Sequence, residues 1–288
     1  MTSRTPDLPE TPDAFSIGGE YRVARIGWGA MRLPTGPGPD RDAAVAVARR
    51  AVESGVTLID TAHLYGWGAN EELLAEALHP YPDNLLITTK VGVVRSDGPE
   101  GWAYDARPDS LRAQVEQGLR RLRTERVGLL QLHRIDPEVP LAEQIGALHE
   151  LRQEGKIGHI GLSEVTAAQL AEARRTAEIA SVQNRYNLFD REYEPVLEAC
   201  EAAGIAFLPW RPVAAATPGP ASVLDAVATE LGATAPQVLL AWLLARSPVL
   251  LPIPGTASLA HLKENLAAAD LRLDESRRRR LDGMARPV

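Results

Sequence analysis

The sequence predicts a (β/α)8 barrel. Eight short apolar runs rich in β-branched residues and leucine recur along the chain, separated by Ala-, Leu-, Glu- and Arg-rich segments with helical periodicity. Several of these runs end in polar groups. That is the look of buried parallel strands whose C-terminal ends share one face, where barrels build their sites. The 288 residues suffice for one large barrel or two small domains, and no linker or break in composition divides them. The expected organisation is a flexible tail over residues 1–14 and a single barrel domain over 15–288.

The tail is rich in Pro, Thr and Asp and lacks the apolar core of a signal peptide. "FSIGGEYRV" then sets Gly18 and Gly19 between short apolar runs, a hairpin signal. Strands are expected near 24–29, 56–60, 84–90, 127–132, 157–162, 180–183, 205–210 and 249–253, with helices between them at 41–54, 109–123, 140–154 and 166–176 among others. Asp42, Asp109 and Thr166 stand near helix starts, where short polar side chains satisfy free backbone donors. Gly55, Gly155 and Gly204 follow helical segments where a left-handed cap is useful. Two helical segments, 221–231 and 235–246, are inserted before the eighth strand, and two more near 258–268 and 274–284 follow it. The longest irregular stretch, 91–107, follows Lys90 on the expected active face.

Subtracting 38 acidic from 31 basic residues leaves −7, which argues against general binding to nucleic acid or anionic membranes. A single cysteine, Cys200, rules out an internal disulfide and reads as a small core residue of a chain kept in a reducing compartment. No run of roughly 18 apolar residues is present. The expectation is a cytoplasmic protein whose partner is a small molecule. Arg277 to Arg280 read as the exposed face of a C-terminal helix.

Four ionisable residues follow three of the expected strands: Asp60 and Tyr65 in "LIDTAHLYG", Lys90 in "LLITTK" and His133 in "LLQLHRID". Singly, each has an ordinary reading as a turn residue, an edge charge or a structural histidine. Together they suit protonation of a carbonyl oxygen. A tyrosine with a pKa near 10 is a poor acid at neutral pH, and a nearby ammonium lowers that value by stabilising the phenolate. Lys90 supplies the charge, Asp60 holds and compensates it, and His133 orients the carbonyl. A metal site built from His63, His133 and Asp136 is the chemical rival, but no ligand spacing supports it and Lys90 would repel the ion.

From "GWGAM" to "ENLAA" the chain resembles the aldo-keto reductase superfamily, and "HPYP", "PGT" and "HLKEN" bring it nearest to the branch of bacterial pyridoxal reductases. The resemblance implies NADP(H) bound by a barrel without a Rossmann fingerprint. It implies Asp60, Tyr65, Lys90 and His133 as catalytic. Beside the nicotinamide it places Gly29, Ala30 and Met31, with Ser163 and Gln183 on the carboxamide. Trp210 would stack on the ring, followed by Arg211, Pro212 and Val213. The segment "LPIPGTASLAHLKENLAA" would hold the adenosine phosphate through Ile253, Pro254, Gly255, Thr256, Ser258, His261, Glu264 and Asn265. Trp28, Tyr65, Trp102 and His133 would line the substrate. The chain departs from the family where Gly255 and His261 replace a common Lys and Arg, where Glu164 replaces Asn, and where Arg211 replaces Ser. Arg211 is expected to reach the pyrophosphate or an anionic substrate group. The implied reaction is reduction of an aldehyde or ketone, with pyridoxal the leading substrate. Two alternatives stay open: a cofactor-sensing barrel similar to potassium-channel β subunits, and an NAD-linked alcohol dehydrogenase.

Overall fold

The computed structural model describes residues 14–213 and 223–284. Most of the expected tail, residues 1–13, lies outside the described residues, whereas Ala14 already belongs to the first strand. Gly18 and Gly19, at φ 59° and 72°, turn β1 (Ala14–Ile17) into β2 (Tyr21–Ala24). Positive φ at both central residues matches the right-handed twist of the flanking strands, so the Gly-Gly pair sets this turn.

The next strands are β3 (Trp28–Gly29), β4 (Leu58–Asp60) and β5 (Leu86–Val91). A second hairpin, β6 (Val93–Arg95) and β7 (Trp102–Tyr104), occupies the stretch expected to be irregular. Then come β8 (Val127–Leu132), β9 (Ile157–Ser163), β10 (Ile179–Gln183) and β11 (Ala206–Phe207). The strands β3, β4, β5, β8, β9, β10 and β11 pair in parallel in that order.

The eighth barrel segment, 249–255, joins the two edges by bridges from Leu250 to Phe207 and from Gly255 to Gly29. Pro252 and Pro254 have no N–H, so the segment cannot form a continuous ladder. Their carbonyls still accept from Gly27 N at 3.0 Å and Gly29 N at 3.3 Å, which closes the curl.

Around the sheet lie α1 (Pro39–Glu53), α2 (Ala69–Leu78), α3 (Pro108–Leu122), α4 (Leu141–Gln153), α5 (Ala167–Ala173) and α6 (Glu194–Ala203). The inserted pair is α7 (Val223–Leu231) and α8 (Ala235–Arg246), and α9 (Leu259–Ala267) and α10 (Glu275–Asp282) are the last helices among the described residues. Thr166 caps α5 with a full capping box, whereas Asp42 and Asp109 sit in first turns that have no side-chain cap. Gly55, Gly155 and Gly204 take φ of 92°, 78° and 65°, as their positions after helices require.

Ile17 and Val23 of the first hairpin join Leu58, Leu86, Leu129, Ala206 and Leu251 in one buried cluster. These residues lie toward the N-terminal ends of their strands, so the hairpin plugs that end of the barrel. The opposite end is left for polar groups. A second packing centre lies outside the sheet: Trp242 of α8 stacks on Tyr186 at 6.1 Å, and Arg191 lies 4.6 Å above its ring. Among the described residues no single helix is long and apolar enough to cross a membrane.

Candidate active site

Strand alternation decides which side chains enter the barrel. Along β5, Leu86 joins the inner cluster and Ile87 the outer one; Thr88 turns inward to Gln131, and Thr89 turns outward to Glu71 of α2. Lys90 therefore points inward. The same count puts Asp60 inward at the end of β4, His133 just past β8, Ser163 at the end of β9 and Gln183 at the end of β10.

Lys90 is fully buried, and its ammonium has three acceptors: Asp60 Oδ2 at 2.7 Å, Thr61 O at 2.8 Å and Tyr65 Oη at 3.3 Å. The other oxygen of Asp60 accepts from Gln183 Nε2 at 2.7 Å and from Gln131 Nε2 at 3.4 Å. The charge pair is thus enclosed by amide donors, which offsets the cost of removing it from water. The Tyr65 ring meets the His133 ring edge-on at 6.3 Å. All four sequence-predicted groups converge.

Their proton affinities differ in part from expectation. Burial raises the Tyr65 phenol above its usual value, and Lys90 offsets this without reversing it. The expected lowering by Lys90 is thus present, but desolvation outweighs it. Burial by itself would lower Lys90, yet the charge of Asp60 and the nearness of Tyr65 leave it raised and firmly cationic. His133 is driven well below the usual imidazole range by burial, then by Lys90 and Arg134, and is neutral. Among the described residues its Nδ1 is enclosed without a partner. An unpaired acceptor costs less than an unpaired N–H, so the proton belongs on Nε2.

Ser163 and Gln183 are buried at adjacent strand ends, and Trp210 is half-buried nearby, bridged through its backbone to Arg185. Ala30 is buried beside Asp60, whose carbonyl accepts its N–H at 2.9 Å. Met31 is 56% exposed. Ile253, Pro254 and Thr256 are buried, and Gly255 is exposed beside Gly29. Ser258 caps α9 by accepting from His261 N at 3.4 Å. Glu264 bonds Thr234 at the start of α8, which commits that carboxylate to helix packing. Asn265 is buried in α9.

Trp28 is 1% exposed and gives its indole N–H to Thr256 O at 3.1 Å, so it props the 254–256 segment from within the core. Trp102 lies on β7 with its ring 5.3 Å from Tyr104. The link from that hairpin toward the site is Arg95, 5.5 Å over the ring of Trp67. Arg211 is exposed at φ 52°, and its carbonyl accepts from Asn187. Pro212 is buried, and Val213 packs on the outer core.

The rival metal grouping is not assembled. His63 Nδ1 accepts from Arg121 at 3.1 Å, and Asp136 caps Ala106 N and Glu138 N. Among the described residues no cluster of three or more His, Cys, Asp or Glu could hold an ion.

Sequence reasoning missed Gln131 and Arg134. Gln131 was accessible by parity, two residues before His133 on the same face. Arg134 Nη1 donates to His133 O at 2.6 Å and Ser163 Oγ at 3.2 Å, and only the fold brings those acceptors together.

A family model described as "Aldo/keto reductase family" matches residues 25–218 and 220–286. The chain is similar to an uncharacterized oxidoreductase of Schizosaccharomyces pombe, 45% identical over 270 residues spanning 92% of this chain and 87% of that protein. It is 42% identical over 284 residues to pyridoxine 4-dehydrogenase of Escherichia coli, across 95% of this chain and 99% of that one. Among solved structures, an aldo-keto reductase from Klebsiella pneumoniae in complex with NADPH superposes with a TM-score of 0.83 at 30% identity, over 94% of each chain.

Proposed function

The chain belongs to the aldo/keto reductase family, and on that premise we propose that it reduces an aldehyde or ketone with NADPH, using Tyr65 as proton donor and pyridoxal as leading substrate. The observation that carries this reading is the Lys90 ammonium, held 2.7 Å from Asp60 and 3.3 Å from the Tyr65 hydroxyl in a buried site. Pyridoxal is favoured by the 42% identity to a pyridoxine 4-dehydrogenase.

The residues present fit a nicotinamide dinucleotide. Ser163 and Gln183 offer a hydroxyl and an amide at neighbouring strand ends, with the Trp210 indole as an adjoining wall. Ser258 leaves the Leu259 and Ala260 amides of α9 without intrahelical acceptors, so that helix start offers donors to a phosphate. Thr256 and His261 would complete the phosphate contacts. When bound, NADPH supplies the hydride.

The protein's part is to bind, orient and protonate. Neutral His133 presents its Nε2–H to the substrate carbonyl and fixes its direction. Tyr65 gives its proton to the oxygen as negative charge develops there. Lys90 stabilises the phenolate left behind, in a site where burial strengthens that interaction. Asp60 and Gln183 keep the ammonium in position.

The test is NADPH consumption by purified protein with pyridoxal and 4-nitrobenzaldehyde, comparing wild type with Tyr65→Phe. Loss of about a hundredfold or more, with NADPH binding retained, is expected of a lost general acid. Equal rates in the two proteins would remove Tyr65 from the mechanism. Tight NADPH binding without turnover of any aldehyde or ketone would favour a cofactor-sensing barrel instead.

A further inference from the structure

We propose that Glu164 biases the cofactor site toward the oxidised nicotinamide: its carboxylate holds the Trp210 indole and places a negative charge at the edge of the wall that a cationic ring would face. This inference rests on the reading of the site as an NADP(H) pocket.

Glu164 follows β9 with φ 56°, a conformation that non-glycine residues adopt only when their surroundings impose it. The surroundings do impose it. Glu164 N donates to Gln183 O at 3.1 Å, and Val165 N donates to Asn184 Oδ1 at 3.1 Å while Asn184 Nδ2 returns a bond to Val165 O at 2.7 Å. The turn is locked to the end of β10, and its carboxylate reaches the segments that follow β10 and β11. There Glu164 Oε1 accepts from Trp210 Nε1 at 2.5 Å and from Arg185 N at 2.9 Å, and Oε2 accepts from Tyr193 Oη at 3.4 Å. The side chain thus fixes the indole's orientation as well as its place.

The charge itself is not cancelled in contact. All three donors are neutral groups, and no ion pair among the described residues includes Glu164. The nearby Arg185 guanidinium is engaged with Asp190 at 2.6 Å and Glu192 at 3.2 Å. An anionic acceptor on the indole N–H enriches the ring face, and a cation over an aromatic face is attracted to it. The oxidised nicotinamide ring is cationic and the reduced ring is neutral. Both forms carry the same phosphates, so only the ring charge distinguishes them at this wall. Glu164 is therefore a positioning residue with an electrostatic consequence.

Glutamine would keep an acceptor oxygen for Trp210 and Arg185 and remove only the charge. Dissociation constants of NADP+ and NADPH should be measured by calorimetry for the full chain, wild type beside Glu164→Gln. The ratio Kd(NADP+)/Kd(NADPH) is expected to rise about fivefold in the variant. In the wild type the preference should shrink as salt is raised, which tests the charge even if the variant does not fold.

A second readout needs no cofactor. The Trp210 indole N–H resonance in a nitrogen-15 spectrum, identified by its loss in Trp210→Phe, should lie downfield in the wild type and move upfield in Glu164→Gln. A Kd ratio indifferent to both the substitution and salt would overturn the charge effect. An unmoved indole resonance would overturn the carboxylate–indole bond. Wild-type protein that binds neither form would instead sink the NADP(H) reading, and this inference with it.

Discussion

Asp60 and Lys90 form a closed ion pair, 2.7 Å apart with side-chain exposures of 4% and 0%. Neither charge can be rehydrated in place, so each depends on the other. Removing one partner leaves an uncompensated buried charge, a far larger loss than breaking a surface pair. Lys90→Met should therefore lower stability by about 3–5 kcal/mol, measured by urea unfolding near neutral pH. A loss under about 1 kcal/mol would mean that water reaches Asp60 once the ammonium is gone.

His133 ties stability to mildly acidic pH. Its folded-state pKa is depressed by burial and by the nearby cations Lys90 and Arg134, whereas the unfolded imidazole titrates near 6.5. Between those two values the unfolded chain binds a proton that the native site refuses, so stability rises with pH across that window. The contribution is complete above about 6.5 and is lost as pH falls through the folded value. Unfolding curves at several pH values for wild type and His133→Gln should differ in slope below about 6.5, with the wild type steeper. Parallel profiles would place His133 in a hydrated environment.

Cys200 lies on the inner face of α6, fully buried, and burial pushes its thiol up to about 12. The thiolate is the reactive form, so the native thiol should be inert at mildly alkaline pH. A thiol reagent at pH 8 should modify the protein only on the timescale of unfolding, and at once in denaturant. Rapid modification of the native protein would contradict the packing of α6.

Trp242 anchors the inserted helix α8. Its ring stacks on Tyr186, and its indole N–H donates to Asp282 Oδ1 of α10 at 2.9 Å. Trp242→Ala should cost about 3–5 kcal/mol through the cavity it leaves, and Trp242→Phe only about 1–2, because most of the packing survives. Equal losses in the two variants would assign the stabilisation to the hydrogen bond instead of the ring.

The barrel and the four convergent residues were legible in the sequence because both follow from local rules. Strands show as apolar runs, helices as a different period, and a two-residue alternation sends Asp60 and Lys90 inward once the strands are placed. Glycine pairs and caps acted through backbone freedom at single positions, as at Gly18 and Gly19.

What tertiary structure alone decided involves groups far apart in the chain or balances between opposed terms. Glu164 meets Trp210 across a sequence separation of 46, and Arg134 meets Ser163 across 29, so no spacing announces either contact. The 91–107 stretch folds into a hairpin that carries Arg95 to Trp67, a contact that strand periodicity does not announce. The net direction of the Tyr65 shift was equally hidden. The residue types specify that Lys90 lowers it, but how much burial opposes that ammonium depends on the packed volume around the phenol, which exists only once the barrel has closed.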